Sequence, residues 1–453
     1  VSLSFNASGV ATTTVQYADV GQLTLTGTYT GSGTDAGLSM TGNSTFIASP
    51  ASFAFSSLPA SPVAGSTFSA TLTARNSAGS AVPNFGKETT VTQDYVRLAW
   101  AKYRPTGTAA VAGTFTGTGT TGTSPYISST SFSNGAVTLS DLKWTEVGTG
   151  DLTATLVSGS YLGTGNAVSG NTGGSGGVGT FVPHHFVVAT TQGCGSTFTY
   201  SGQPFSVTIT AVNATGSATT QNYDGSSNTS PTFAKNLNLS LTGAGASTGS
   251  LNNTSLSSSS FTSGVATIAS TSASPFKFNF TNKLTAATSV SFHAEEVSPG
   301  TVTSTGYDGA LTIRSGRIKV SNAFGSEKST LDIPVQAQYW NGKSWALNGS
   351  DSCTNIPVAS VVRTNYLDYK GSSTSGWTAM PATKATVGAI PMAVTISSGN
   401  GVLTFGAPSP TATGSLDFAF NLGTSTTDQS CLASHPASTA ANVDWMRSLN
   451  GST

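Results

Sequence analysis

A serine among glycines, four histidines, three cysteines and a group of tryptophans are the residues of this chain whose chemistry could go beyond packing. Ser175 lies in Gly173-Gly-Ser-Gly-Gly177, which spells the Gly-x-Ser-x-Gly pattern of a hydrolase nucleophile. Such a nucleophile needs a strand before it and a helix after it, and glycine on both sides predicts a flexible connector instead. His184 and His185 are adjacent, and neighbouring side chains of a strand leave on opposite faces, a poor arrangement for one metal ion. His293 stands beside Glu295 and Glu296, a set that could attract a cation or simply form a solvated strand end. The other acids are scattered, without the Asp-x-Asp-x-Asp-Gly spacing of a calcium loop. These readings give no catalytic residue, no metal site and no cofactor.

Trp340, Trp345 and Trp377, with Tyr339 and Tyr366, are candidates of a different kind. Aromatic faces can hold sugar rings, so Trp340, Trp345, Trp377 and Tyr339 are candidate glycan or surface contacts. Tryptophans flanking Asn341-Gly342, a strong hairpin signal, also arise from cross-strand packing. The cysteines Cys194, Cys353 and Cys431 are odd in number, which leaves one over in an oxidising compartment. Cys353 and Cys431 fall in one domain by the boundaries below and are expected to pair. Cys194 then needs a partner outside these residues, or stays a buried thiol.

The elements that must carry these side chains are strands. AGSTFSATLTARNSAGSAVPN (Ala64–Asn84) returns 137 positions later as SGQPFSVTITAVNATGSATTQ (Ser201–Gln221). In the first copy Phe68, Ala70, Leu72 and Ala74 alternate with Ser69, Thr71, Thr73 and Arg75. In the second, Phe205, Val207, Ile209 and Ala211 alternate with Ser206, Thr208 and Thr210. A period of two is a half-buried strand, and the Asn-x-x-Gly that ends each copy is turn chemistry. A repeat this long implies whole β-domains, so the expected fold is all-β, tandem immunoglobulin-like sandwiches.

Only 8% of the 453 residues are charged, against about 25% in an ordinary soluble domain, while 37% are hydrophobic. Many are β-branched, which favours packed strands over disorder. Lys+Arg and Asp+Glu both number 18, so the chain lacks the basic excess of a nucleic-acid surface. A net charge of zero also removes the self-repulsion that keeps copies apart. No run of 18 apolar residues exists to cross a membrane. Val1 opens directly into a strand-like pattern, which places any export signal upstream. The expected setting is extracellular.

Four segments follow. Residues 1–48 read as the second half of a sandwich, because Tyr17-Ala-Asp-Val-Gly21 matches Trp144-Thr-Glu-Val-Gly148. Residues 49–182 and 183–315 are immunoglobulin-like repeats. The first of these contains a Gly/Thr-rich excursion over Pro105–Pro125, expected to be a long loop. Residues 316–453 form a distinct β-domain, in which Pro334 predicts an edge or a bulge, with a short helix near Asn442–Leu449.

Gly316-Arg317, Asn322-Ala-Phe-Gly-Ser-Glu327, Gln338-Tyr-Trp-Asn-Gly342 and Asp351-Ser-Cys-Thr354 resemble the MshQ-like family, as do Phe181-Val-Pro-x-His-Phe186, Phe198–Phe205 and Pro83–Glu88. That family comprises large exported proteins encoded with the mannose-sensitive haemagglutinin (MSHA) type IV pilus. The resemblance implies a secreted, pilus-operon-associated surface protein whose family domain has no settled biochemical activity; with no catalytic set among the residues above, the expected protein is non-enzymatic. Three roles follow: a subunit or stalk of a filament, sheath or pilus-associated assembly; an adhesin with a glycan- or surface-binding last domain; or an accessory factor of pilus biogenesis. The expected partners are further copies in a polymer, pilins, or a glycan.

Overall fold

The computed structural model describes residues 2–88, 95–120, 126–216, 218–297, 302–373, 393–407, 413–424 and 438–447; Trp377 and Cys431 lie outside them. The chain is all-β, built of immunoglobulin-like domains in tandem. The repeated stretch forms the strands Thr67–Arg75 and Pro204–Val212. Phe68 is 6% exposed, and Ala70, Leu72, Ala74, Phe205, Val207, Ile209 and Ala211 are each 0% exposed. Alternation therefore buries one face in both copies.

In residues 52–181 two antiparallel sheets enclose one core. Thr67–Arg75 lies between Ser52–Ser56 and Ala136–Trp144. The opposing sheet centres on Gly148–Leu156, flanked by Tyr95–Arg104 and Ser169–Asn171. Phe53, Phe68, Leu72, Leu98, Leu152 and Leu156 share the core. The Gly/Thr-rich excursion is not a free loop. Phe115 pairs opposite Trp144 and stacks flat on Trp100, with ring centroids 4.8 Å apart.

The repeat extends beyond the strand. Ala74 N–H donates to Gly135 O at 2.9 Å, and Ala211 N–H to Gly264 O at 2.9 Å. Phe85 meets Phe132 edge-on at 4.8 Å, as Tyr223 meets Phe261 at 5.1 Å. Gly135 and Gly264 have φ of 77° and 81°. An added Cβ would lie 2.6 Å from Val82 O and 2.4 Å from Thr220 O respectively.

The chain divides into two units, residues 1–185 with 211–234 and 258–265, and residues 186–210, 235–257 and 266–453. The first unit holds two joints between successive repeats. Residues 2–48 carry a hairpin of Gly21–Thr30 with Ser39–Ala48. Just before it, Asp19 Oδ1 accepts from Asn84 N–H at 3.1 Å, and Ala18 O accepts from Asn76 Nδ2 at 2.8 Å. One repeat later, Glu146 accepts from Gln221 N–H at 3.1 Å and Asn222 N–H at 3.0 Å. Thr145 O accepts from Asn213 Nδ2 at 3.1 Å. Asn76 and Asn213 are matching positions of the repeat, as are Asn84 and Gln221. Burial raises the Glu146 carboxyl above the usual range, against the pull of its backbone N–H donors. The start of the excursion completes this joint: Thr106 and Ser230 exchange two backbone bonds of 2.8 Å, and Asn222 exchanges two with Val111.

In the second unit, Phe205, Phe276 and Phe292 form the aromatic centre between two further sheets. Beyond them Leu331–Trp340 lies between Gly316–Val320 and Asn400–Phe405, so Pro334 is in an interior strand and not at an edge. Its carbonyl accepts from Ser321 just past Val320↔Val335, the last pair of that ladder. The missing N–H therefore faces a place where no ladder bond is required. The expected short helix is one 3-10 turn, Asp444–Met446.

Gly135→Ala and Gly264→Ala should each cost about 1–3 kcal/mol, because each forces a side chain into a left-handed backbone against a carbonyl. Chemical denaturation of the two variants checks this. A large effect at one site and none at the other would break the equivalence of the repeats.

Candidate functional site

The outward face of the last domain's main sheet brings together a group of chemistry-bearing side chains. Leu331–Trp340 sends Ile333, Val335 and Ala337 into the core. Gln336, Gln338 and Trp340, two apart, share the opposite face. Register sets Arg317 opposite Gln338, Lys319 opposite Gln336, Trp345 opposite Trp340 and Asn400 opposite Gln336. Trp340 and Trp345 are half-buried, with ring centroids 5.7 Å apart and nearly edge-to-face. Arg317 lies 4.6 Å above the Trp345 ring and donates twice to Gln338 Oε1, at 2.9 and 2.8 Å. This is a broad polar face with two fixed aromatic rings and cations at Arg317 and Lys319, able to stack on a ring and bond its substituents.

The sequence-derived aromatic group does not hold together. Tyr339 points to the other side of the strand, where Arg314 packs 4.9 Å from its ring. Tyr366 lies on Val361–Asp368, in a different sheet. Among the described candidates only Trp340 and Trp345 share a face, and what sequence reading missed is their company of Arg317, Lys319, Gln336 and Asn400. That signal was present, because each of these residues is one strand step from a tryptophan or a glutamine once the register is known.

The expected pairing of Cys353 with Cys431 is overturned: Cys353 is bonded to Cys194, 159 positions away in sequence. The disulfide closes a buried knot. Tyr200 Oη donates to Asp351 Oδ2 at 2.7 Å and accepts from Asn348 Nδ2 at 2.6 Å. Cys353 N–H and Thr354 N–H both donate to Asp351 Oδ1 at 3.0 Å. Burial, then the Asp351 carboxylate, pushes the Tyr200 phenol far up. Cys194, Asp351 and Cys353 bring metal-ligand atoms within 4.8 Å of one another. The two sulfurs are bonded to each other, which leaves no thiolate for an ion.

Three further groups resemble chemistry and perform packing. Ser304, His293 and Asp308 form a serine–histidine–acid cluster, with Asp308 Oδ1 2.8 Å and Ser304 Oγ 3.2 Å from the same ring atom, His293 Nδ1. A relay needs acid and serine on opposite nitrogens of the ring. Ser304 is moreover 0% exposed and accepts from Ala294 N–H, so it pins the connection before Gly309–Arg314 to the strand Thr288–Glu296. The glycine-flanked Ser175 lies in a loop that wraps an acid: Gly176 and Gly177 N–H donate to Asp151 at 2.8 and 3.0 Å. Although burial opposes it, these bonds hold the Asp151 carboxyl below its ordinary value. His184 and His185 do not diverge, because the strand begins only at His185; their Nδ1 atoms lie 2.7 Å apart.

Residues 146–313 match the third domain of DUF6701, residues 314–447 its fourth domain, and residues 1–43 its first Ig-like domain, a family described as a domain of unknown function. No curated protein matches the chain. Among solved structures, FdeC, an Escherichia coli adhesin, is 15% identical with a TM-score of 0.33, covering 86% of this chain and 96% of its own. The Yersinia pseudotuberculosis adhesin InvE is 12% identical with a TM-score of 0.22, covering 64% of this chain and 66% of its own. InvD of the same organism is 12% identical with a TM-score of 0.23, covering 82% and 81%. Scores this low transfer no function.

Peptide mapping without reductant should recover Cys194 joined to Cys353, and Cys194→Ser with Cys353→Ser should lower stability by about 2–5 kcal/mol through the large loop released. Lys283, buried and donating to Trp445 O at 2.7 Å, is pulled down to about 8, by burial first. Because its folded pKa lies below its unfolded value of about 10.4, its contribution is fully present above that value and is lost as pH falls through the folded pKa. Unfolding free energy should therefore rise by about 3 kcal/mol from pH 8 to about pH 10.4, relative to Lys283→Met at the same pH values. Parallel pH profiles for the two proteins would refute this.

Proposed function

We propose that the chain is a non-enzymatic, extracellular structural segment of a bacterial cell-surface assembly, a stalk or subunit that works by reach and contact. The observation that carries this reading is the joint. The same aspartate or glutamate position holds the next repeat's turn at Asp19–Asn84 and again at Glu146–Gln221, which suits units strung in tandem. A disulfide at Cys194–Cys353 supports an oxidising compartment outside the cytosol. Low charge and a net charge of zero suit close packing against further copies or against pilins. Attachment to an MSHA-type pilus, as polymer subunit or as biogenesis factor, stays within this reading as its most specific form.

A second reading, an adhesin, rests on the Trp340–Trp345 face. Fixed aromatic rings beside Arg317, Lys319 and Gln336 are the donor set that would seat an acidic saccharide, ring against ring face and carboxylate against cation.

Electron microscopy and sedimentation of the purified chain should show regular self-association burying well above about 1,000 Å² per contact; a strictly monomeric protein at high concentration removes the assembly reading. A glycan array should show retention of acidic saccharides that falls at least tenfold in Trp340→Ala and Trp345→Ala. Retention unchanged in both variants, or no retention at all, removes the adhesin reading.

A further inference from the structure

The end of a repeat that meets the following domain is built from two pieces: a glycine just before the repeated strand, and the connection that leads into the opposing sheet. In residues 52–181 these are Gly65 and Glu146. An added Cβ at Gly65, where φ is 78°, would lie 2.9 Å from Ala214 N, in the turn of the next repeat. Ala214 N–H donates to Ala64 O at 2.9 Å, and Glu146 takes the two successive N–H groups of Gln221 and Asn222. The matching positions one repeat later are Gly202 and the connection between Phe276–Phe280 and Thr288–Glu296, which carries Lys283. Gly65 and Gly202 are equivalent by bonding as well as by sequence: each N–H donates at 2.7 Å to the strand that leads into that connection, to Trp144 O and Phe278 O. A Cβ at Gly202 would meet Trp445 at 3.5 Å, and Lys283 Nζ donates to Trp445 O at 2.7 Å.

The same end therefore takes a repeat in one case and the terminal domain in the other, and the connection carries an acid in the first and, three residues past the matching position, a lysine in the second. An acid accepts, so it fits a turn that presents two backbone N–H groups. An ammonium donates, so it fits a segment that presents a carbonyl. We propose that this end is an interaction surface that selects the following domain: an acid there specifies a further repeat, whose turn Gly65 leaves room for, while a lysine specifies the terminal domain. Asp19 places the first junction under the same rule, because it accepts from Asn84. The selection concerns backbone groups, so it tolerates wide sequence change in the turn it holds. It is independent of whatever the array contacts outside itself.

The test uses the full chain and amide hydrogen exchange. Glu146→Lys and Glu146→Ala should each raise exchange at least tenfold over residues 105–112 and 213–222, leaving the strand Thr67–Arg75 at the wild-type rate. Lys283→Glu and Lys283→Met should do so over residues 438–447 and not over 213–222. The reversed charge should be worse than the neutral variant at each site. Should a charge-reversal variant fail to fold, the neutral variant at that position decides alone. Wild-type exchange at the joint in Glu146→Ala or Lys283→Met, or equal effects of the reversed and neutral side chains, overturns the proposal.

Discussion

A sandwich of antiparallel strands ends in turns, and every turn carries backbone N–H and C=O groups that need partners once a neighbour covers them. The structure meets this requirement with side chains of the preceding domain: half-buried Asp19 and buried Glu146 and Lys283 each reach into the connection that follows. Burying an ionised group is costly unless it is bonded. Glu146 is 5% exposed and Lys283 7% exposed, and each is satisfied by backbone atoms of the successor. Removing the successor would leave each charge without its backbone partners. Fold and order of domains are thus tied together by the same few atoms.

The remainder of the joint explains features that composition alone renders as filler. The Gly/Thr-rich excursion reads as a loop because no periodicity marks it. It folds back because Phe115 finds Trp100 and Trp144, and it reaches forward because Asn222 offers Val111 both an acceptor and a donor. None of those partners is near in sequence, so nothing local could reveal them. The glycine-flanked Ser175 has a similar explanation: small residues let two consecutive N–H groups turn towards Asp151. A spelling that resembles catalysis is here a carboxylate nest.

The cysteines show the same limit from another side. Pairing within a domain is the economical guess, yet Cys353 meets Cys194 because Phe198 and Tyr200 enter the core of the last domain alongside Ile333, Val335 and Phe405. A core shared across a predicted boundary brings together residues that chain order separates. Tyr339 stands apart from Trp340 for the converse reason, since next to it in sequence means the opposite face of a strand.

The sequence by itself determined the strands, their buried faces and the presence of repeats, because a period of two and an Asn-x-x-Gly turn are local and need no partner to be read. It also determined which residues carry charge, since there are so few. Tertiary structure alone decided what those charges do. A carboxylate or an ammonium expresses a preference only when a backbone group is held within about 3 Å of it in a place without water, and that distance is a property of two domains at once.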